Sequence, residues 1–339
     1  LVISIILCMA LLLLICVSTN RRETFLIDSQ NTLLVPNDRV SRLSKNFIHA
    51  LEYYYRSLDI VLNDDTRKYV IGGLTHKHNY ISRFLKRIET TMPELQIDAS
   101  IPTEEEEATA HNEIVSDEYK YHNVDIDSQQ LLGSTPELAD TIASHGIDIQ
   151  GMKLRILHWM TPRTARSIRT ALCGPDEYRD IPVVGIINRK HNRKLLNINS
   201  IKYEIDALGL TVDEIFFESA DFDEQIAFNN THDIIVAPHG ANLSSTPFIP
   251  DYGLVIEICN PEWTPYNYFT GLSVSSGKSH YLICDDHPAT REGSGEVAQR
   301  KLDIHGNPRQ ITGCIEEFMI HRDRMYQEQT PENIVLKLL

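Results

Sequence analysis

The sequence predicts an α/β protein whose C-terminal half forms a doubly wound parallel sheet. Short apolar runs, such as residues 182–187 (PVVGII) and 233–237 (DIIVA), have the length and composition of buried parallel strands. Segments with helical spacing of apolar residues separate these runs, and strands that alternate with helices pack as a parallel sheet. A length of 339 residues is enough for roughly two domains.

The N-terminal half has a weaker pattern of strands and helices. Residues 47–58 and 80–88 place apolar side chains at helical spacing. Residues 68–74 (KYVIGGL) and 154–160 (LRILHWM) are typical of short strands, and Pro162 ends the second of them. We therefore expect at least four regular elements before residue 175.

From residue 181 onward, strands and helices alternate more clearly. The expected strands are residues 182–187, 211–217, 233–237, 254–258 and 280–284. The expected helices are residues 199–208, 221–229 and 240–249. Asp221 is a favourable N-cap for the second helix, and Gly209 closes the first. Since open parallel sheets bind ligands at the carboxyl ends of their strands, the residues that follow the strands are the candidates for a site.

The net charge argues against a nucleic-acid partner. Lys and Arg total 32 and Asp and Glu total 47, so the formal charge is −15 and the surface repels phosphate backbones. Nine of the acids and one base lie between Glu104 and Asp127. A block of like charge is typical of a solvated insertion, and a carboxylate cluster for cations or for a basic acceptor is the alternative. The Asp-x-Asp triplet at 125–127 has a poor context for a metal site.

The first residues form an uncharged apolar segment, residues 1–17 (LVISIILCMALLLLICV). We predict a signal anchor that spans a membrane over residues 1–19; a cleaved signal peptide and a buried helix are the alternatives. Arg21 and Arg22 would hold the downstream side in the cytoplasm by the positive-inside rule, but charges upstream of the span can reverse that orientation.

Cysteine usage and one glycosylation motif fit an oxidising compartment. Four cysteines lie outside the apolar segment, and this even number permits two disulfides. They are Cys173, Cys259, Cys284 and Cys314. The triplet Asn229-Asn230-Thr231 has the spacing of an N-glycosylation acceptor. Both observations are compatible with a secretory protein.

The end of the first C-terminal strand is strongly basic. Residues 188–194 (NRKHNRK) carry five side chains that are basic or can become so, in a chain that is otherwise acidic. Arginines such as Arg189 and Arg193 can each hold two phosphate oxygens, and the amides of a following helix add donors. A diphosphate site and a solvated basic loop are equally compatible with these residues.

The third C-terminal strand ends in residues 237–243 (APHGANL). Gly240 and Ala241 have minimal side chains, which lets a ligand approach the backbone at the start of a helix. His239 can donate to a phosphate or stabilise charge on a leaving group. The alternative is a tight turn whose histidine has a structural partner.

Glu257 is an acid inside the apolar strand at residues 254–258. A buried carboxylate needs a partner. A ribose diol would supply two hydroxyl donors, and a structural ion pair with a nearby arginine is the alternative.

In this order and spacing, the three strand ends resemble a known family. The stretch APHGANLSSTPFIPDYGLVIEICNPEWTPYNYF is similar to the signature region of the family 61 glycosyltransferases. Upstream, Asn188-Arg189, Arg193 and Asn197 match that family's pattern of two arginines followed by an asparagine. The resemblance covers residues 181–285.

The resemblance implies a GT-B fold, which has two Rossmann-like domains with a cleft between them. It implies an N-terminal acceptor-side domain at 25–175 with the acidic insertion at 102–128. A nucleotide-sugar-binding domain at 180–310 and a helical segment at 311–339 would follow. Family members are inverting transferases of the Golgi or ER membrane, usually single-pass type II proteins with lumenal catalytic domains.

The resemblance also assigns roles to residues. Arg189 and Arg193 would bind the diphosphate of a UDP-sugar, and Glu257 would bind its ribose. The remaining donor-binding residues would be Asn197, His239, Gly240, Ala241 and Asn242. The acceptor would be a glycan or glycoprotein hydroxyl, with no cofactor and no metal.

Inverting transfer needs a base, and His239 and His78 are the expected catalytic residues. A base from the N-terminal domain would be one of His76, His78 and His158, because an imidazole titrates near neutral pH. Two other functions compete with this one. A lumenal nucleotide-sugar- or glycan-binding protein without turnover is the first alternative. A nicotinamide-dependent oxidoreductase is disfavoured, because no Gly-x-Gly-x-x-Gly follows the first strand of a βαβ unit.

Overall fold

The computed structural model describes most of the C-terminal half and separate segments before it. The described residues are 31–34, 47–64, 68–72, 79–98, 121–125, 153–157, 159–175, 178–260, 269–284, 301–327 and 336–338. The predicted signal anchor at 1–19 and the histidines at 76, 78 and 158 lie outside them. In the described part of the chain, no helix is both long enough and apolar enough to cross a membrane.

The N-terminal elements form a small parallel α/β unit. Its elements are β1 (Asn31–Leu34), α1 (Phe47–Asn63), β2 (Lys68–Gly72), α2 (Asn79–Thr91) and β3 (Gln96–Asp98). The strands lie side by side in the order β1-β2-β3, and both pairs are parallel. Two successive β-α-β crossovers of this kind are half of a Rossmann-like domain.

The acidic insertion contains a strand that the sequence analysis did not predict. β4 (Tyr121–Asp125) pairs antiparallel with β5 (Lys153–Leu157). The register places Asp125 opposite Lys153 and Tyr121 opposite Leu157.

The C-terminal half confirms the predicted α/β fold. After α3 (Pro162–Cys173), its strands form a six-stranded sheet in the order β11-β10-β9-β8-β6-β7, in which every pair is parallel. The strands are β6 (Val184–Asn188), β7 (Val212–Phe216), β8 (Ile234–Pro238), β9 (Leu254–Cys259), β10 (Ser279–Cys284) and β11 (Leu336–Leu338). The helices between and after them are α4 (Ile198–Ala207), α5 (Phe222–Thr231), α6 (Phe269–Ser275) and α7 (Pro308–Gln327).

Side-chain hydrogen bonds hold the first turns of α5 and α3. The Asp221 carboxylate accepts from Glu224 N at 3.0 Å, and Asp221 N donates to the Glu224 carboxylate at 2.7 Å. This capping box confirms the predicted N-cap of α5. Asp59 of α1 accepts from Thr161 N at 2.7 Å and from Thr164 Oγ1 at 2.6 Å, which binds α1 to the first turn of α3.

The helix predicted at 240–249 is a 3₁₀ helix, Ala241–Phe248. Pro247 has no N–H to donate, which disfavours a continued α-helix. The hydroxyls of Ser244 and Thr246 donate to carbonyls three residues earlier, at 2.7 and 2.6 Å, and support the tighter winding. Tyr55 of α1 donates to the Ser244 carbonyl at 3.0 Å, so the N-terminal unit contacts this helix directly.

The two faces of the large sheet are covered by different helices. On one face, sheet residues pack with α1, α2 and α3; members of this cluster include Ile187, Ile235, Val255, Leu51, Phe84 and Ile168. On the other face, sheet residues pack with α4 and α7; this cluster includes Ile186, Val236, Ile256, Ile201 and Ile315. The described N-terminal helices therefore share one core with the C-terminal sheet. The predicted domain boundaries stay a prediction.

The amino-terminal edge of the sheet carries buried ion pairs. Asp233, which precedes β8, bonds to Arg322 of α7 at 3.1 Å. Asp251, which precedes β9, bonds to Arg169 at 3.0 Å and to Lys278 at 3.1 Å. Burial raises the pKa of the Asp251 carboxyl, but the nearby cations outweigh burial and lower it well below its usual range.

The structure describes two features that the sequence analysis related to an oxidising compartment. Cys173, Cys259 and Cys314 form no disulfide in the described part of the chain, and the compartment stays a prediction. Asn229 is 1% exposed, and its amide donates to Ser245 Oγ at 2.7 Å and to the Gln225 carbonyl at 3.1 Å. An asparagine in this position is inaccessible to a glycosylating enzyme once the chain has folded.

We predict that Gly313→Ala stabilises the protein by about 0.5–1 kcal/mol, because Gly313 is exposed inside α7 and its new Cβ meets no atom within 4 Å. The contrasting variant is Gly185→Ala in β6, where the Cβ would lie 2.6 Å from the Phe228 ring and cost about 1–3 kcal/mol. Urea unfolding of both variants measures the difference. Equal changes in the free energy of unfolding of the two variants would contradict the open surroundings of Gly313 and the tight packing of Gly185 against Phe228.

Candidate functional site

The strand order places a crevice between β6 and β8. The connection from β6 leads to β7 on one side of the crevice, and the connection from β8 leads to β9 on the other side, so the two neighbouring strands send their connections in opposite directions. Such a reversal opens a gap at the carboxyl ends of the strands, where open parallel sheets bind ligands. Asn188 ends β6 and Pro238 ends β8 at this gap.

Asn188 shapes the basic loop that follows β6. Its side-chain oxygen accepts from Arg189 N at 2.8 Å and from Leu195 N at 2.9 Å, which closes the loop at both ends. Within the loop, Asn192 and Arg193 have φ values of 52° and 60°, so the chain turns sharply over two residues. The loop is thus a compact turn that presents its arginines towards β8.

The two strand-end loops are in direct contact. Arg193 Nη1 donates to the His239 carbonyl at 2.8 Å. Gly240, the next residue, has a φ of 155°. A Cβ at Gly240 would lie 2.5 Å from Arg189 Nη1, 3.3 Å from Arg193 Nη1 and 3.0 Å from Asn242 Oδ1. Only glycine allows both guanidinium groups to lie this close to the backbone.

Buried polar atoms without hydrogen-bond partners converge at this point. Among the residues that the structure describes, Arg189 Nη1 and both polar atoms of the Asn242 side chain are buried and accept or donate no hydrogen bond. Leaving such groups unpaired costs about 1–3 kcal/mol each, and more when the group is charged. Glu218 is the ion-pair partner of Arg189, at 3.6 Å from Nε, so Nη1 is left pointing towards Gly240. A bound anion with acceptor oxygens would satisfy Arg189 Nη1 and Asn242 Nδ2, whereas Asn242 Oδ1 needs a donor.

Glu257 lies behind His239 and binds two histidines. One carboxylate oxygen bonds to His239 Nδ1, and the other lies 3.1 Å from His280 Nε2. Glu257 is 1% exposed and His280 is fully buried. Burial raises the pKa of Glu257, but the charges and hydrogen bonds of the histidines outweigh it and lower the pKa from 4.5 to about 2. The buried carboxylate is therefore ionised.

Two hydroxyl side chains of α6 hold His280. Ser273 Oγ lies 3.0 Å from His280 Nδ1, and Thr270 Oγ1 lies 3.2 Å from Nε2. Phe269, at the start of α6, packs against the His239 ring with ring centres 5.2 Å apart. One short helix thus contacts both imidazoles that bind Glu257.

Asn197 binds the backbone of a neighbouring segment. Its amide nitrogen donates to the Gly306 carbonyl at 2.6 Å, and its side-chain oxygen accepts from Gly306 N at 3.0 Å. Leu195 and Ile304 form a parallel bridge just before this contact. The two bonds fasten residues 303–306 beside the basic loop, and a donor contact of Asn197 stays a prediction.

The structure thus brings most of the predicted site residues together. Arg189, Arg193, His239, Gly240 and Asn242 meet at one point, and Ala241 begins the 3₁₀ helix beside them. The partner predicted for Glu257 was a ribose or an arginine, whereas the described partners are histidines. A ribose contact of Glu257 stays a prediction.

His280 is the site residue that the sequence analysis missed. It was expected as the first residue of a strand, without a role. The available signal was a second polar residue in the apolar strand that follows the one with Glu257. The register pairs His280 with Val255, two residues before Glu257 on the same face of the sheet.

Comparisons with known proteins show which family the sequence resembles. The family model described as Glycosyltransferase 61 matches residues 69–256, more than half of the chain, and includes both strand-end loops. A protein of Oryza sativa subsp. japonica named as a beta-1,2-xylosyltransferase is 32% identical over 91 residues, which is 26% of this chain and 16% of that protein.

A second relative comes from Gallus gallus and is named as an EGF domain-specific O-linked N-acetylglucosamine transferase. It is 32% identical over 74 residues, which is 21% of this chain and 14% of the relative. The matched stretches therefore span less than a fifth of either relative's length.

We predict that Glu257→Gln destabilises the protein at neutral pH and that the deficit shrinks in acid. Because the pKa of Glu257 is lower in the folded state, its ionised form stabilises the fold above pH 4.5, and this stabilisation is lost as the pH falls towards 2. The shift corresponds to a stabilisation on the order of 3 kcal/mol. Urea unfolding between pH 7 and pH 3 measures it, with Asp206→Asn on the surface of α4 as the control. A deficit that does not change with pH would contradict an ionised Glu257.

Proposed function

Because the chain belongs to glycosyltransferase family 61, we propose that it transfers a sugar from a UDP-sugar to a hydroxyl of a glycan or glycoprotein. The transfer would invert the anomeric carbon and need no divalent metal. The observation that carries this proposal is the buried, unpaired set of Arg189 Nη1 and the Asn242 amide beside Gly240, at the reversal of strand order. A diphosphate supplies the acceptor oxygens that Arg189 Nη1 and Asn242 Nδ2 lack.

The arginines provide the charge that a departing diphosphate requires. Arg189 and Arg193 place guanidinium groups within 3.3 Å of a Cβ position at Gly240. Donors that are fixed before the reaction stabilise the charge developing on a leaving group without reorganisation. The Asn188 contacts and the Glu218 ion pair hold this arrangement without ligand, which supports a preformed clamp.

His239 has the geometry of an oriented imidazole. Nδ1 faces the Glu257 carboxylate, so Nε2, on the opposite side of the ring, points away from it. An ionised carboxylate behind an imidazole fixes its tautomer and the orientation of its ring. We assign to His239 the stabilisation of charge on the phosphate next to the sugar.

The acceptor half of the reaction needs a base. In an inverting transfer the acceptor oxygen forms a bond to the anomeric carbon, the bond from that carbon to the diphosphate oxygen breaks, and the acceptor proton passes to a base. His78 is our candidate for this base, with His76 and His158 as the alternatives. All three lie outside the described residues, so the assignment rests on the sequence.

The relatives' names and the apolar segment complete the proposal. One relative is named for xylosyl transfer and the other for N-acetylglucosamine transfer, so UDP-xylose and UDP-N-acetylglucosamine are the donors to test first. We propose that residues 1–19 anchor the protein as a single-pass type II protein of the Golgi or ER membrane. The uncharged sequence of residues 1–17 supports this anchor.

Turnover separates this proposal from its main alternative, a binding protein that keeps the nucleotide site without catalysis. The test incubates the protein with UDP-xylose and UDP-N-acetylglucosamine and measures released UDP with and without glycan acceptors. Release of UDP supports a transferase. Saturable UDP binding without release from any UDP-sugar supports the binding protein.

We predict that Arg189→Ala weakens UDP binding by about 10- to 100-fold, the loss expected for a charge-assisted contact worth roughly 1.5–3 kcal/mol. We expect a similar loss for Arg193→Ala. Isothermal titration calorimetry with UDP measures both, and Arg163→Ala, an exposed arginine of α3, is the control. An unchanged Kd for Arg189→Ala would remove this residue from the site.

We also predict that Gly240→Ala abolishes most UDP affinity, since the methyl group would lie 2.5 Å from Arg189 Nη1 and occupy the point where the donors converge. Gly209→Ala is the matched control, because Gly209 also has a positive φ, of 77°, but no atom within 4 Å of the new Cβ. Thermal unfolding shows whether both variants fold. Full UDP affinity in Gly240→Ala would exclude ligand binding at this point.

A further inference from the structure

We infer that His280 is a positioning residue for the transfer reaction, because it orients His239 through the shared carboxylate of Glu257. The inference rests on the proposed function of the site. No side chain of this kind was expected from the sequence, and His280 lies on β10, two strands beyond β8 at the crevice.

The carboxylate needs two fixed contacts to hold an imidazole in one orientation. The torsion about the bond to a terminal carboxylate is soft, so a single hydrogen bond leaves the carboxylate plane free to rotate. In Glu257 one oxygen bonds to His239 Nδ1 and the other lies 3.1 Å from His280 Nε2. His280 therefore fixes the plane of the carboxylate, and the carboxylate fixes the His239 ring.

His280 is itself held rigidly. Ser273 Oγ lies 3.0 Å from His280 Nδ1 and can donate its hydrogen there, which leaves Nε2–H of a neutral imidazole as the donor to Glu257. Nε2 faces Glu257 and Thr270 Oγ1. With a contact at each ring nitrogen, the imidazole has one orientation.

His280 acts at a distance from the donor. It is fully buried, while the ligand groups converge at Gly240. The connection runs from His280 to Glu257, from Glu257 to the His239 ring, and along the chain to Gly240. A residue in this place contributes to kcat by keeping His239 aligned and has little effect on the affinity for UDP.

The test compares two polar substitutions that differ in reach. The amide of His280→Gln extends to the position of Nε2 and can donate to Glu257. The shorter amide of His280→Asn stays near Ser273 and does not reach Glu257. Both variants keep a polar group in the pocket, so a difference between them reports the Glu257 contact. His232→Asn, at the amino-terminal edge of the same sheet, is the control for loss of a buried histidine.

Two readouts are measured for each variant. One is kcat and KM for UDP release from UDP-N-acetylglucosamine or UDP-xylose, together with the Kd for UDP. The other is the downfield NMR resonance of the His239 Nδ1 proton that is bonded to Glu257. The NMR readout needs no turnover.

We expect His280→Asn to lose about 10- to 100-fold in kcat, less than the 10²–10⁴-fold that a proton-transferring group itself provides. Its Kd for UDP should change less than about twofold, and the His239 proton resonance should broaden or disappear. His280→Gln should recover most of kcat and the resonance. His232→Asn should keep both.

An unchanged kcat and an unchanged His239 resonance in His280→Asn would overturn the inference and leave the proposed function intact. Equal losses in the Asn and Gln variants would also overturn it, since they would show a general packing effect. If the parent protein releases no UDP from either donor, the proposed function fails, and the His239 resonance alone then decides whether His280 positions the ring.

Discussion

The reversal of strand order between β6 and β8 is the constraint on which the site depends. A parallel sheet directs all its carboxyl ends to one edge, and connections that leave two neighbouring strands in opposite directions cannot fill the space between them. The basic loop and the His239-Gly240 turn both begin at that gap. The order of the strands alone therefore brings together two loops that lie about fifty residues apart in the sequence.

Buried charged groups have different partners at the two edges of the sheet. At the amino-terminal edge, Asp233 and Asp251 bind cations, so each charge is matched inside the protein. At the carboxyl edge Glu257 is matched by histidines, whereas Arg189 Nη1 has no hydrogen-bond acceptor among the described residues. Unpaired buried polar atoms also occur elsewhere among the described residues, for example Arg322 Nε, so the distinguishing feature of Arg189 Nη1 and the Asn242 amide is that they converge beside Gly240 in the crevice.

The sequence predicted the elements that depend on local pattern. The apolar runs that became β6, β8 and β9 were located to within two residues, and the N-cap Asp221 was identified from its own side chain. Features that depend on long-range pairing were not predicted. The partner of Glu257 is set by the register of β9 and β10, and the partner of Asn197 lies 109 residues away. The buried state of the Asn229 sequon depends on contact with the 3₁₀ helix, which a triplet cannot reveal.

The shared core on one face of the large sheet has a consequence for synthesis of the chain. Helices α1 to α3 leave the ribosome before β6, β8 and β9, yet their apolar sides pack against those strands. Until translation has passed Val255, these amphipathic helices have no complete surface to cover them, and chains in that state are prone to aggregate. Nascent polypeptides that end before Val255 would rely on chaperones that shield apolar helices.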